Sequence, residues 1–70
     1  MPLIIAPLDV ELKIVKVQVD DKTKKHLESL GLYVGGVVKV ISDNRGNLIC
    51  LVKGVRIGLD RDLASHIIVA

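Results

Sequence analysis

The sequence contains no tryptophan and no phenylalanine, and its aromatic content is Tyr33 alone. That scarcity excludes a nucleic-acid reader that stacks bases on aromatic side chains. Charge of one sign is also missing. Ten basic against eight acidic residues leave a formal net charge of +2, far from a dedicated polyanion binder. One cysteine, Cys50, cannot close an intrachain disulfide, which excludes a disulfide-stapled secreted scaffold and points to a reducing, cytoplasmic setting. The longest unbroken apolar run, Leu48 to Val52, is far below the roughly 20 residues of a membrane-spanning helix. The apolar start Met1–Leu8 lacks the basic lead of a secretory signal and is interrupted by Pro7.

What is present is a short, half-apolar chain of 70 residues, expected to form a single domain over 1–70 with residues 1–8 as a lead-in. Asp9 to Val19 reads as a long strand. Val10, Leu12 and Ile14 alternate with charged residues, then the phase slips to Val15, Val17 and Val19. A β-bulge near Ile14–Val15 absorbs such a slip and bends the strand. Asp20 and Asp21 are N-cap residues for a helix over Lys22–Leu30, with Thr23, Leu27 and Leu30 on one face and Gly31 as its C-terminal stop.

Strand character resumes at Val37–Ile41. A turn-rich loop, Asp43–Asn47, leads into the return strand Leu48–Val52. Lys53-Gly54 makes a second tight turn before Val55–Leu59, Asp60 caps a helical turn over 60–64, and Ile67–Val69 ends the pattern. The fold class expected is mainly β: a small SH3-like barrel of about five strands, with one short α-helix after the first strand and a short helical turn before the last. An OB-fold is the second choice.

No catalytic constellation is visible. Ser29, Ser42 and Ser65 stand outside any nucleophile-elbow context, and Cys50 lies within an apolar strand, the setting of an inert core thiol. His26 and His66 are far apart in sequence. Asp62 and His66 share a face only if the helical turn continues to His66, so they make a weak metal signal. Gly35-Gly36 and Gly46 fit no phosphate-binding pattern and read as turn residues. Lys22, Lys24 and Lys25 form the one local basic cluster, either a solvated helix face or a docking surface for an acidic partner.

The ordered motifs resemble the ferrous-iron-transport protein A (FeoA) family. The strand Leu12–Val17 begins the likeness. The helix exit Lys25-His26-Leu27-Glu28-Ser29-Leu30-Gly31-Leu32 is similar to the family's "LGL" signature, with Gly35 at its following glycine. Val52–Leu59 resembles the family's "v.G..iaL" hairpin, and Ala64, Ile67 and Val69 its "A..I.V" ending. Val34 stands where the family often has proline, and His26 and lysines where arginines are common.

The resemblance implies an SH3-like accessory protein, not an enzyme, that assists bacterial ferrous iron uptake. It would bind the cytoplasmic GTPase region of the FeoB-type membrane transporter, meeting the membrane only through that partner. A weakly held divalent transition metal such as Fe2+ is the one cofactor it suggests, with no ligand set assigned. The docking surface expected from exposed charge beside a leucine-rich turn comprises Lys24, Lys25 and His26 for steering, with Leu30, Leu32 and Tyr33 for apolar contact. Exposed strand edges also allow a homo-oligomer. The alternative is a free domain related to the C-terminal barrel of DtxR-type metal-dependent repressors, acting as a regulatory interaction module.

Overall fold

The computed structural model describes residues 1–70. Five antiparallel strands form one curved sheet: β1 (Glu11–Val17), β2 (Val37–Asn44), β3 (Asn47–Val52), β4 (Val55–Leu59) and β5 (Ile67–Val69), in the order β4-β3-β2-β1-β5. Two helices interrupt the strands: α1 (Asp21–Ser29) between β1 and β2, and α2 (Arg61–Ser65) between β4 and β5.

The bulge that the phase slip in β1 predicts is present, and it is where the sheet curls. Glu11, Leu12 and Lys13 pair with β2, whereas Ile14, Lys16 and Val17 pair with β5, and the register shifts between Ile14 and Lys16. One strand thus serves two neighbours on either side of its bend. Val15, the residue left out of the ladder, is exposed rather than part of the inner face, while Val17 and Val19 are half-buried. The strand is shorter than the alternation suggests, because Asp9 takes a positive φ of 62° and cannot continue it.

The two hairpins use two-residue turns with positive φ at both positions, the geometry that matches strand twist. Lys53-Gly54 is one (φ 51° and 79°), as expected. Arg45-Gly46 is the other (φ 56° and 89°), so the expected 43–47 loop contracts to two residues. Its polar residues stay in the ladder: Asn44 pairs with Asn47, and the Asp43 carboxylate accepts the Gly46 N–H at 2.9 Å. Arg61 closes over this turn, its guanidinium donating to the Arg45 carbonyl.

Both helices are capped by the aspartates foreseen. The Asp20 carboxylate accepts from the Thr23 N–H and the Asp60 carboxylate from the Leu63 N–H. The Thr23 hydrogen bond to Asp20 holds that carboxyl below its ordinary range.

The core is aliphatic, and it includes Leu3, Ile14, Leu27, Leu32, Val38, Val40, Leu48, Cys50, Ile67 and Val69. Leu3 comes from a 3-10 turn (Leu3–Ile5) and is fully enclosed. The segment ahead of that turn pairs with β5: the Met1 nitrogen donates to the Val69 carbonyl, and the Val69 N–H donates to the Met1 carbonyl, both at 2.7 Å.

Candidate functional site: the cleft at the helix exit

The exit of α1 is a two-bond reversal built by Leu27, Glu28, Gly31 and Leu32. The Gly31 N–H donates to the Glu28 carbonyl (3.0 Å) and the Leu32 N–H to the Leu27 carbonyl (2.9 Å), satisfying carbonyls that a helix end otherwise leaves open. Gly31 has φ 94°, and a Cβ there would lie 2.9 Å from Cγ1 of Val52. The reversal carries Leu32 inward onto Leu27, and both are completely enclosed in the core.

This geometry corrects part of the expected docking surface. Leu32 is 0% exposed and presents no side-chain surface, because the glycine turn folds it back under the helix. Leu30, the capping residue, is instead 37% exposed rather than packed beside Leu27. Lys24, Lys25 and His26 are exposed on α1, and Tyr33 is half-buried.

Two clefts meet at Tyr33. Lys53 Nζ sits 4.9 Å from the centroid of its ring, a cation–π contact, and this pair forms a ridge between them. On one side a cleft of about 450 Å3 is walled by Glu11, Lys39, Leu51 and the backbone of Gly35 and Gly36. On the other a cleft of about 350 Å3 runs between the α1 exit and β4, walled by Glu28, Leu30, Tyr33, Lys53, Val55 and Ile57. The second is the more apolar, and Val55 contributes a side chain 60% exposed. Val55 and Lys53 line the same cleft as Leu30. Their strand and turn were legible in the sequence, but not their position across from α1, which only the sheet's curl creates.

The remaining candidates separate cleanly. Cys50 is enclosed, and burial pushes its thiol up to about 11, the setting of a protonated core thiol at neutral pH. The helix ends at Ser65 with His66 as its C-cap, and the His66 Nδ1 lies 2.7 Å from the Asp62 carbonyl oxygen and 3.9 Å from the Asp62 carboxylate. Nowhere do three or more His, Cys, Asp or Glu residues gather to hold a metal. Asp62 and His66 by themselves supply fewer protein donors than a resident transition-metal site uses. His26 stands apart from this pair.

The sheet order and the bulged first strand shared between two neighbours define the class: a small, mainly β, SH3-like barrel with an open cleft at its helix exit. Comparison with known proteins agrees. The FeoA domain family model matches residues 1–70, and the chain belongs to the FeoA family, which is associated with ferrous iron transport.

Among solved structures, an iron uptake regulatory protein (FeoA) superposes with a TM-score of 0.89 at 26% identity, covering 99% of this chain and 93% of that one. Stenotrophomonas maltophilia FeoA complexed with zinc, described as a prokaryotic SH3 domain protein, gives 0.83 at 24% identity over 100% and 89% of the two chains. T. acidophilum IdeR gives 0.84 at 24% identity over 99% of this chain but only 32% of that chain. No curated protein matches the sequence. No helix is long and apolar enough to cross a membrane.

Proposed function

We propose that this protein is an accessory factor of ferrous iron uptake, which docks on the cytoplasmic GTPase region of a FeoB-type transporter through the cleft between α1 and β4. The observation that carries the reading is the coincidence of the FeoA family match with an open aliphatic cleft at the family's helix-exit signature. Leu30, Tyr33 and Val55 supply the apolar contact. Lys24, Lys25 and His26 lie exposed on the adjoining helix, where they steer an acidic surface toward the cleft. Docking of this kind asks no metal ligand of the chain, and iron enters as the transporter's cargo.

Titrating the protein with the cytoplasmic region of a cognate transporter tests this reading. Leu30→Asp and Val55→Asp place a charge in the apolar cleft and weaken binding by about tenfold or more. Lys24→Glu with Lys25→Glu slows association in a salt-dependent way. Unchanged affinity in all these variants removes the cleft as the docking face. Repeating the titration with anaerobic Fe(II) shows whether the metal strengthens the contact. The likeness to IdeR favours a second reading, docking on a metal-dependent repressor, and the same titration with a repressor in place of the transporter separates the two.

A further inference from the structure

The sheet has one outer edge that the chain closes and one that it leaves open. At β5 the N-terminal segment adds main-chain bonds: Met1 exchanges two with Val69, and Pro2 bridges to Ile68. At the other end of the order stands β4, whose ladder runs to β3 alone.

The turn between β3 and β4 determines which groups that edge offers. A two-residue turn bonds its flanking pair, here Val52 and Val55, so alternate pairs Cys50–Ile57 and Leu48–Leu59 are the hydrogen-bonded rungs. Between them Arg56 and Gly58 lie in the non-bonded pairs, and their N–H and C=O groups point away from β3 into the open edge. The ladder is continuous through Gly58, with no register shift. Gly58 needs no positive φ, and a Cβ there would meet nothing nearer than Ile49 at 3.9 Å. Neither backbone conformation nor crowding inside the fold therefore calls for glycine at this position. A glycine in a strand interior also marks a place where another backbone comes close.

We propose that the β4 edge pairs with an extended, acidic segment of a partner protein, which adds a sixth strand while seating an apolar side chain in the cleft against Leu30 and Val55. This deepens the docking reading above and rests on it for the partner's identity, not for the mode. The cleft lies between α1 and this same edge, an arrangement in which strand addition and side-chain pockets act together. Charge selects the occupant. Lys53 and Arg56 are exposed along the edge, and Asp60, which follows its last residue, has its carboxylate engaged as the cap of α2. A second copy paired antiparallel about Arg56 would set the two Arg56 side chains directly opposite each other, whereas an acidic strand meets Lys53 and Arg56 with complementary charge.

The test follows backbone amides of the intact chain by hydrogen exchange. The probes are the transporter's cytoplasmic region and a synthetic peptide of alternating valine and aspartate, with a valine–lysine peptide as the control. Arg56→Pro removes one outward N–H while leaving the rungs to β3 in place, as edge strands allow. Arg56→Ala removes the charge and keeps the N–H. The expected result is slowed exchange at Arg56 and Gly58 on binding, about tenfold weaker binding for Arg56→Pro, and only a twofold to fivefold loss for Arg56→Ala.

If the transporter binds while both amides stay unprotected, or Arg56→Pro and Arg56→Ala behave alike, strand addition is overturned and the docking reading stands. If the transporter does not bind but the acidic peptide protects Arg56 and Gly58, the edge is confirmed and the transporter reading falls. Protection by neither probe, or equal protection by the lysine peptide, overturns the proposal. Thermal melting of both variants separates lost pairing from lost folding.

Discussion

Lys53 Nζ lies 4.9 Å from the centre of the Tyr33 ring, joining the β3–β4 turn to the segment leaving α1. No other tyrosine, and no phenylalanine or tryptophan, exists in the chain. The contact orients Tyr33 as the wall between the two clefts.

Replacing Tyr33 with leucine keeps an apolar side chain but removes the ring and its cation–π contact, the contact alone being worth about 0.5–1 kcal/mol. Lys53→Gly deletes the same contact but also relieves a non-glycine residue held at φ 51°, a strain of about 1–2 kcal/mol. Chemical denaturation therefore finds Tyr33→Leu destabilising and Lys53→Gly close to neutral. Partner affinity falls in both, because each variant lowers the ridge.

The reversal at the helix exit has its own signature in stability. Gly31→Ala combines a φ of 94° with a Cβ 2.9 Å from Val52, whereas Gly54→Ala meets a φ of 79° and open space. The turn strain alone is about 1–2 kcal/mol, so Gly54→Ala loses about that much and Gly31→Ala loses more. Equal midpoints in urea for the two variants would show that Val52 moves aside without cost.

Leu30 and Leu32, two positions apart, separate in the same assays. Leu32→Ala opens a void in the core and costs about 2–5 kcal/mol, leaving the surface of the folded fraction unchanged. Leu30→Ala touches exposed surface and costs little stability, but it weakens partner binding. Urea titration beside a binding isotherm reads both.

Cys50 supplies a pH prediction. Its thiol is raised from 9.0 to about 11 because the buried site disfavours the thiolate. The folded state thus holds the proton more tightly than the unfolded state. The stabilisation is complete below pH 9 and is lost as pH rises through about 11. Unfolding free energy measured across that window falls in the wild type and less steeply in Cys50→Ala. A thiol reagent at pH 8 reacts with the protein only at the rate of unfolding.

The local pattern alone determined much of the fold. The aspartate caps, the glycine stop after α1, the Lys53-Gly54 turn and the bulge in β1 are set by residues within a few positions of one another, where backbone sterics and short hydrogen bonds decide the outcome. The family was legible for the same reason, since its motifs are those local devices in order.

Only the tertiary structure decided which leucine faces water, because burial depends on where the reversed chain lands. Leu32 is drawn under α1 onto Leu27, and Leu30 is left at the rim. It also decided that Val55 and Lys53 complete the cleft, since that juxtaposition comes from elements brought together by folding. The open edge at β4 belongs with these. A strand's alternation tells which face is buried, but its place in the sheet is set by long-range pairing, and that place determines which backbone groups remain free.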